Sequence, residues 1–236
     1  MDFRLTEEQE FFRKTIAETV DKMIVPKADE IDEKDEFPWD LWREFSKLGY
    51  LGLRYPEEIG GMNADPVTAM IFYEEITRGS VGFAQSVIMN ILMGTYFVYR
   101  FGSDAIKERC LLPAMRGEKI ATICFTEDQS GSDLGATRTT AVKDGNEWVL
   151  NGTKMWITNG PIADFATVLA TTDPSLRMKG LNFFLVEKGT PGLSYGQRLS
   201  KLGCRGAITG ELVLDNVRIP EENFLGRELG KGVVYV

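Results

Sequence analysis

ATICFTEDQSGSDLGATRTTAVKDGNEWVLNGTKMWITNG, residues 121–160, decides how this chain is read. It holds two blocks, CFTEDQSGSD at 124–133 and NGTKMWITNG at 151–160, joined by an alternating segment that carries Asp144-Gly145-Asn146. The first block is small, hydroxyl-rich and glycine-containing. In such a loop backbone N–H groups can come close to a phosphate, and Ser130, Gly131 and Ser132 permit that approach. The second block reads as a strand ending in Trp-Ile-Thr, where Trp156 offers a ring surface and Thr158 a hydroxyl.

On either side of this stretch the hydrophobic period differs. Downstream, short segments at 120–125, 139–143, 148–150, 154–158, 165–171, 181–186, 193–195 and 211–217 are rich in β-branched and aromatic residues. Asp144-Gly145-Asn146, Asn151-Gly152 and Thr190-Pro191-Gly192 lie between them as turn chemistry. Upstream the period is helical. Leu5-Thr6-Glu7-Glu8-Gln9 has the spacing of a capping box, and Phe12, Ile16, Val20 and Met23 recur on one face until Pro26. Pro38 suits a first helical position, with Leu41, Phe45 and Leu48 on one face before Gly49. Further helices are predicted over 66–78, 80–100 and 104–115, the last capped by Ser103, and 55–62 reads as a loop. The fold class is therefore α+β: an all-helical domain at 1–117, a small β-barrel or sandwich domain at 118–225, and at 226–236 the approach to another helix.

Composition narrows the function. With 43 % hydrophobic and 26 % charged residues the chain can bury a sizeable core. A net charge of -8 argues against nucleic acid, whose phosphates call for a basic surface. The sequence has no histidine, which removes Ser-His-Asp and Cys-His machinery and nearly all zinc sites, so no metal is expected. Cys110, Cys124 and Cys204 are far apart and fit reduced thiols, and with no secretory or transit signal in MDFRLTEEQE the reading is cytoplasmic. The apolar run 80–101 is interrupted by Gln85, Asn90 and Arg100, and reads as a buried helix rather than a membrane span.

A flavin needs an aromatic or apolar surface to stack on, donors for its polar edge and close backbone for its pyrophosphate, and the two blocks together offer these types. Taken singly each block is weak, because Gly-Ser loops join strands in every β domain and strand tryptophans are usually core. Together and in this order they resemble the acyl-CoA dehydrogenase family, whose first block commonly reads T-E-P-x-A-G-S-D. Here it reads Thr126-Glu127-Asp128-Gln129-Ser130-Gly131-Ser132-Asp133, with Asp128 and Ser130 as the departures. The second block, 154–160, matches without a gap. Pro56-Glu57-Glu58-Ile59-Gly60-Gly61, Phe184-Leu185-Val186-Glu187, Thr190-Pro191-Gly192, Lys201-Leu202-Gly203-Cys204-Arg205 and Val217-Arg218-Ile219-Pro220 extend the resemblance over nearly the whole chain.

The resemblance implies FAD held by Ile123, Cys124, Phe125, Thr126, Gly131, Ser132, Trp156, Ile157 and Thr158. Cys124 to Thr126 lie on the pyrimidine side, Trp156 covers the ring and Thr158 bonds near N5. It also implies an acyl-CoA substrate that Ser132 touches, an electron-transfer flavoprotein as partner, and a homotetramer. The reaction implied is α,β-dehydrogenation of the thioester to a 2-enoyl-CoA. The family's glutamate base normally lies in a third, helical domain, and the chain stops short of it; no catalytic residue is expected within 1–236. Glu127 is kept by the family in addition to the base and is read as structural or loop-orienting. A face of Ser86, Asn90 and Met93 is weighed as acyl-tail lining and read as packing. Rival readings are a related acyl-CoA oxidase or flavin monooxygenase, and a non-catalytic binding or assembly module.

Overall fold

The computed structural model describes residues 4–226 and 228–235. Residues 1–3 of the first expected domain, and 227 and 236 of the last segment, lie outside the described residues. Helix α1 (Glu7–Met23) starts at the capping box: Gln9 N donates to Thr6 Oγ1 at 3.2 Å and Thr6 N to Gln9 Oε1 at 3.1 Å. Two donors that a helix start leaves without partners are thereby satisfied. Next come α2 (Ala28–Lys34) and α3 (Trp39–Ser46), with Pro38 as the cap of α3 rather than its first residue. Leu41 and Phe45 are buried as the spacing predicts, but α3 ends before Leu48, which is 40 % exposed. Within the expected 55–62 loop, Glu57–Ile59 forms one 3₁₀ turn.

Helix α4 (Pro66–Gly79) is capped by Asp65, which accepts from Val67 and Thr68 N–H. The apolar run that follows is not one uniform helix. It comprises α5 (Val81–Ile88), a π-helical stretch Met89–Gly94 and α6 (Tyr96–Phe101). Val81–Phe101 is long and apolar enough to cross a membrane, yet 61 % of its most apolar window is buried inside the protein. Its close seat on the sheet depends on Gly94, where a Cβ would come within 2.7 Å of the Ala121 carbonyl carbon. The expected 104–115 helix is α7 (Asp104–Ile106), a π-helical turn Lys107–Leu111 and α8 (Leu112–Met115), with Ser103 Oγ accepting from Ile106 N.

Among the described residues seven strands follow: β1 (Ala121–Cys124), β2 (Thr140–Asp144), β3 (Glu147–Thr158), β4 (Phe165–Thr171), β5 (Leu181–Glu187), β6 (Leu193–Arg198) and β7 (Thr209–Pro220). They form one mixed sheet, β1-β4-β2-β3-β7-β6 with β5 on the other edge of β4, curled into a half-barrel. Asp144-Gly145-Asn146 turns β2 into β3, with Gly145 at φ +62, as the sequence predicts. Asn151-Gly152 does not turn the chain. β3 runs straight through it, joining the two segments predicted at 148–150 and 154–158 into one strand of 12 residues. The irregularity lies in the partner strand instead: between the Leu150–Val217 and Gly152–Leu214 pairs β7 carries one extra residue, so Asp215 and Asn216 oppose Asn151, whose Oδ1 accepts from Asn216 N at 2.8 Å. Gly152 is required because a Cβ would lie 2.7 Å from the Thr139 Cα beside β2.

The concave core holds Trp148, Leu150, Val168, Phe184, Val186, Leu212 and Leu214. The opposite face packs on the helices, with Phe97 and Phe183 ring centroids 4.0 Å apart. Polar ties fix the two halves. Arg109 donates to Glu187, Glu222 and Asn223, while Asn90 accepts from Ala121 N and donates to the Ala114 carbonyl. Asn90 is thus satisfied as a packing residue.

Candidate active site

The last residues of β3 break the strand's alternation. Lys154 and Trp156 are two apart and would share a face in a regular strand, but the register shifts between Lys154 and Ile157 and separates them. Lys154 is fully buried, while Trp156, at φ +60, turns outward and is 60 % exposed. A bulky residue at positive φ is uncommon and held only by its surroundings. Met155 N donates to the Thr126 carbonyl at 2.8 Å, so the two sequence blocks touch here.

Thr158 is fixed at both ends. Its carbonyl accepts from Thr122 Oγ1 at 2.6 Å, and its Oγ1 accepts from Gln85 Nε2 on α5 at 3.3 Å. With that acceptance made, the Thr158 hydroxyl keeps its own hydrogen to donate. Next to it Asn159, at φ +64, donates Nδ2 to the Ser86 carbonyl at 3.0 Å. Gln85 Oε1, Ser86 Oγ and Asn159 Oδ1 around this junction are buried without hydrogen-bond partners. Buried polar atoms are normally paired, so a cluster of orphans marks a place with unused hydrogen-bonding capacity.

The 127–133 loop divides its residues by role. Ser130 is buried and donates inward to the Asp133 carbonyl at 3.1 Å, with Thr137 Oγ1 3.3 Å away. Gly131 and Ser132 are exposed, and nothing lies within 4 Å of where a Gly131 Cβ would stand. Arg177 holds the loop's far end through Asp133 at 2.7 Å. Backbone at 131–132 is therefore accessible from solvent, so no side chain would block the close approach of a phosphate. On β1 and beyond, Phe125 and Thr126 are half-buried; Cys124 and Ile157 pack into the half-barrel core and Ile123 against the helices. Burial pushes the Cys124 thiol up to about 12, so it stays protonated.

Beneath the loop Glu127 and Lys154 form a buried ion pair at 2.7 Å. Lys154 Nζ also donates to the Phe125 carbonyl at 3.1 Å. Glu127 Oε1 accepts from Thr139 N at 3.0 Å as well as from Lys154, and Oε2 accepts from Arg138 N at 2.8 Å and Gln129 Nε2 at 2.6 Å. Burial by itself would raise the Glu127 carboxyl, but the Lys154 charge and these hydrogen bonds outweigh it and hold it below the usual range. Burial likewise pulls the Lys154 ammonium below its ordinary value. A carboxylate saturated by four donors orients a loop; it has no capacity left for moving a proton. Gln85 and Lys154 are the two residues here that sequence reading passes over. Gln85 is visible there only as a polar break in an apolar helix, and nothing in the pattern of Lys154 announces that it lies inside.

Helical domain, half-barrel and an open Trp-Thr strand end define a class of protein, and comparison places it. Residues 6–118 match the family model for the acyl-CoA dehydrogenase N-terminal domain and residues 122–217 that for the middle domain. The chain belongs to the acyl-CoA dehydrogenase family. It is 41 % identical over 232 residues to benzylmalonyl-CoA dehydrogenase of Aromatoleum aromaticum, covering 98 % of this chain and 61 % of that protein. Butyryl-CoA dehydrogenase from Megasphaera elsdenii superposes with a TM-score of 0.92 at 34 % identity, over all of this chain and 62 % of that one. PigA, solved with FAD and proline, superposes at 0.93 with 28 % identity over the same shares, 100 % and 62 %. The chain spans about three fifths of the length of these relatives.

Proposed function

We propose that the protein is an FAD-dependent acyl-CoA dehydrogenase that converts an acyl-CoA thioester to the 2-enoyl-CoA and passes electrons to an electron-transfer flavoprotein, acting as a cytoplasmic homotetramer. The observation that carries the reading is the Thr158 hydroxyl, oriented by Gln85 and left with a free hydrogen beside the exposed Trp156 ring. Those two residues, with 123–126 and the Gly131–Ser132 backbone, would hold the cofactor. When bound, FAD supplies the acceptor for the hydride that leaves the β-carbon as the α-proton goes to a base. Ser132 lies at the open edge of the loop and would meet the pantetheine arm. Glu127 is not the base, since Lys154 and three further donors already occupy its oxygens. The base is therefore sought outside residues 1–236, in keeping with the greater length of the relatives.

The test is the protein expressed from its complete reading frame, given FAD, acyl-CoAs and an artificial electron acceptor, with enoyl-CoA detected by mass spectrometry. Thr158→Val keeps the shape and removes the hydroxyl, which should raise the barrier to flavin reduction by ~1.5 to 3 kcal/mol while binding of acyl-CoA changes little. Absence of enoyl product with the parent protein, or an unaltered reduction rate in the variant, would overturn the assignment.

A further inference from the structure

A recess adjoins the candidate site on the helical side of β1. It measures about 230 Å³ and is lined by Arg54, Leu92, Met93, Tyr96, Phe97, Ile123 and Phe125. Its walls are apolar and aromatic, and Arg54 is the one charged residue among them. The guanidinium stands 5.7 Å from the centroid of the Tyr96 ring, and Nη1 donates to the Leu92 carbonyl of the π-helical stretch at 3.1 Å. Among the described residues no carboxylate pairs with it, although the chain carries 35 acidic residues against 27 basic ones. Arg13, Arg78, Arg109 and Arg218, by contrast, each meet two acidic partners.

Two further observations connect this recess to the site. Ile123 and Phe125 form its wall and belong to the first sequence block. Leu92 and Met93 lie on the same helical run as Gln85, whose amide reaches Thr158, and seven residues along such a run is about 10 Å. A chain lying along that run, with its reacting carbons at Thr158, would extend toward Arg54. At about 30 Å³ for each non-hydrogen group the recess has room for roughly seven, which suits a short methylene chain with an end group. An arginine left without an anionic partner beside apolar walls favours a tail that is apolar along its length and carboxylate at its tip.

Building on the acyl-thioester reading, we propose that the recess receives the far end of the acyl group and that Arg54 pairs with a carboxylate there, so that the preferred substrates are mono-CoA thioesters of dicarboxylic acids. Arg54 is then a specificity residue, about two helical turns from the reacting carbons. Its hydrogen bond to Leu92 fixes the guanidinium, so little orientation entropy remains to be lost when the carboxylate arrives.

The experiment uses the protein from its complete reading frame and the mono-CoA thioesters of glutaric, adipic, pimelic and suberic acids, each beside the straight-chain acyl-CoA of equal carbon number. Steady-state kcat/KM and calorimetric binding are both read. At one chain length or more the dicarboxylic member should be favoured by about tenfold or more, as a charge-assisted hydrogen bond supplies. Arg54→Gln should bring that ratio near unity in both readouts, and Arg54→Lys should keep part of it. Met93→Glu, which places an internal carboxylate in the recess, should abolish the preference too and serves if Arg54→Gln does not fold. A ratio that Arg54→Gln leaves unchanged, an equal loss on both series with a lowered Tm, or a preference for phenylalkanoyl-CoAs independent of Arg54 would overturn the proposal while turnover of thioesters stands. If no thioester of any kind binds or turns over, the acyl-thioester reading itself fails and this proposal with it.

Discussion

Lys154→Met tests whether the buried ion pair holds the site together. The side chain of Lys154 is fully buried and that of Glu127 is 3 % exposed. Methionine has the length and apolar stem of lysine, so packing is conserved and the change is almost purely one of charge. Removing one partner of a buried pair leaves the other uncompensated, at a cost of about 3 to 5 kcal/mol. Glu127 keeps its bonds to Gln129, Arg138 and Thr139, which puts the expected loss near the lower end, about 3 kcal/mol. For a chain of this size that is a fall in Tm of roughly 6 to 12 °C. Differential scanning calorimetry measures it, with urea titration as a second probe. The double variant with Glu127→Gln supplies the control: neutralising both partners should recover part of the loss, giving a coupling of about 1 kcal/mol or more. A Lys154→Met protein within about 1 kcal/mol of the parent would refute the reasoning, because a buried carboxylate cannot lose its cation so cheaply unless water already reaches it.

Acid should act on the same pair. The Glu127 carboxyl lies below the ordinary glutamate range in the folded protein, so its contribution is present above that range and is lost as pH falls through the lower folded value. The acid limb of a Tm-against-pH curve should therefore be shallower in Glu127→Gln than in the parent. Gly152→Ala should destabilise by about 1 to 3 kcal/mol, read as a shift in urea midpoint, since the new methyl meets backbone beside β2. Ser132→Leu should lower FAD stoichiometry and acyl-CoA affinity together on folded protein. Ser130→Leu, at a buried position that serves the loop, should instead lower Tm.

Much of the fold could be read from the chain because its signals are local. The capping box at Thr6 and Gln9, the Ser103 cap and the Asp144-Gly145-Asn146 turn each depend on residues a few positions apart, and each is found where it was expected. Asn151-Gly152 misled because turn-type residues can also lie within a strand, opposite a bulge in its neighbour. Whether turn or strand forms is decided by pairing with β7, some sixty residues on, and by Thr139 pressing on Gly152. The division of the 80–101 run into α and π segments has the same origin, since Gly94 and Asn90 are fitted to β1. At the site, the residue types of the two blocks were legible but their roles were not. That Lys154 points in and Trp156 out cannot follow from period-two alternation, which gives them the same side. The bulge between Lys154 and Ile157 sets it. Gln85 and Arg54 come from other elements, and no spacing relates them to residues 121–160.

Trp156 joins that backbone argument to the chemistry and makes an unusual forecast. A residue at φ +60 is held in the left-handed region at a cost of about 1 to 3 kcal/mol for a bulky side chain. Its ring is 60 % exposed, so the fold recovers little from burying it. Glycine accepts that φ without strain but adds freedom to the unfolded chain worth roughly 0.5 to 1 kcal/mol. The relief exceeds that cost by between zero and about 2.5 kcal/mol, the part of the ring that is buried offsets some of it, and Trp156→Gly should lower Tm by no more than a few degrees. Deleting a core tryptophan costs about 3 to 5 kcal/mol by comparison. FAD content, measured on the same folded sample, should fall sharply, since the stacking surface is gone while Thr158 and the Gly131–Ser132 loop remain. A large drop in Tm would make Trp156 a packing residue after all, and unchanged Tm with full FAD content would place the ring surface of the site elsewhere. A strand residue that the fold can lose and the ligand cannot is the signature expected of strain kept for binding rather than for stability.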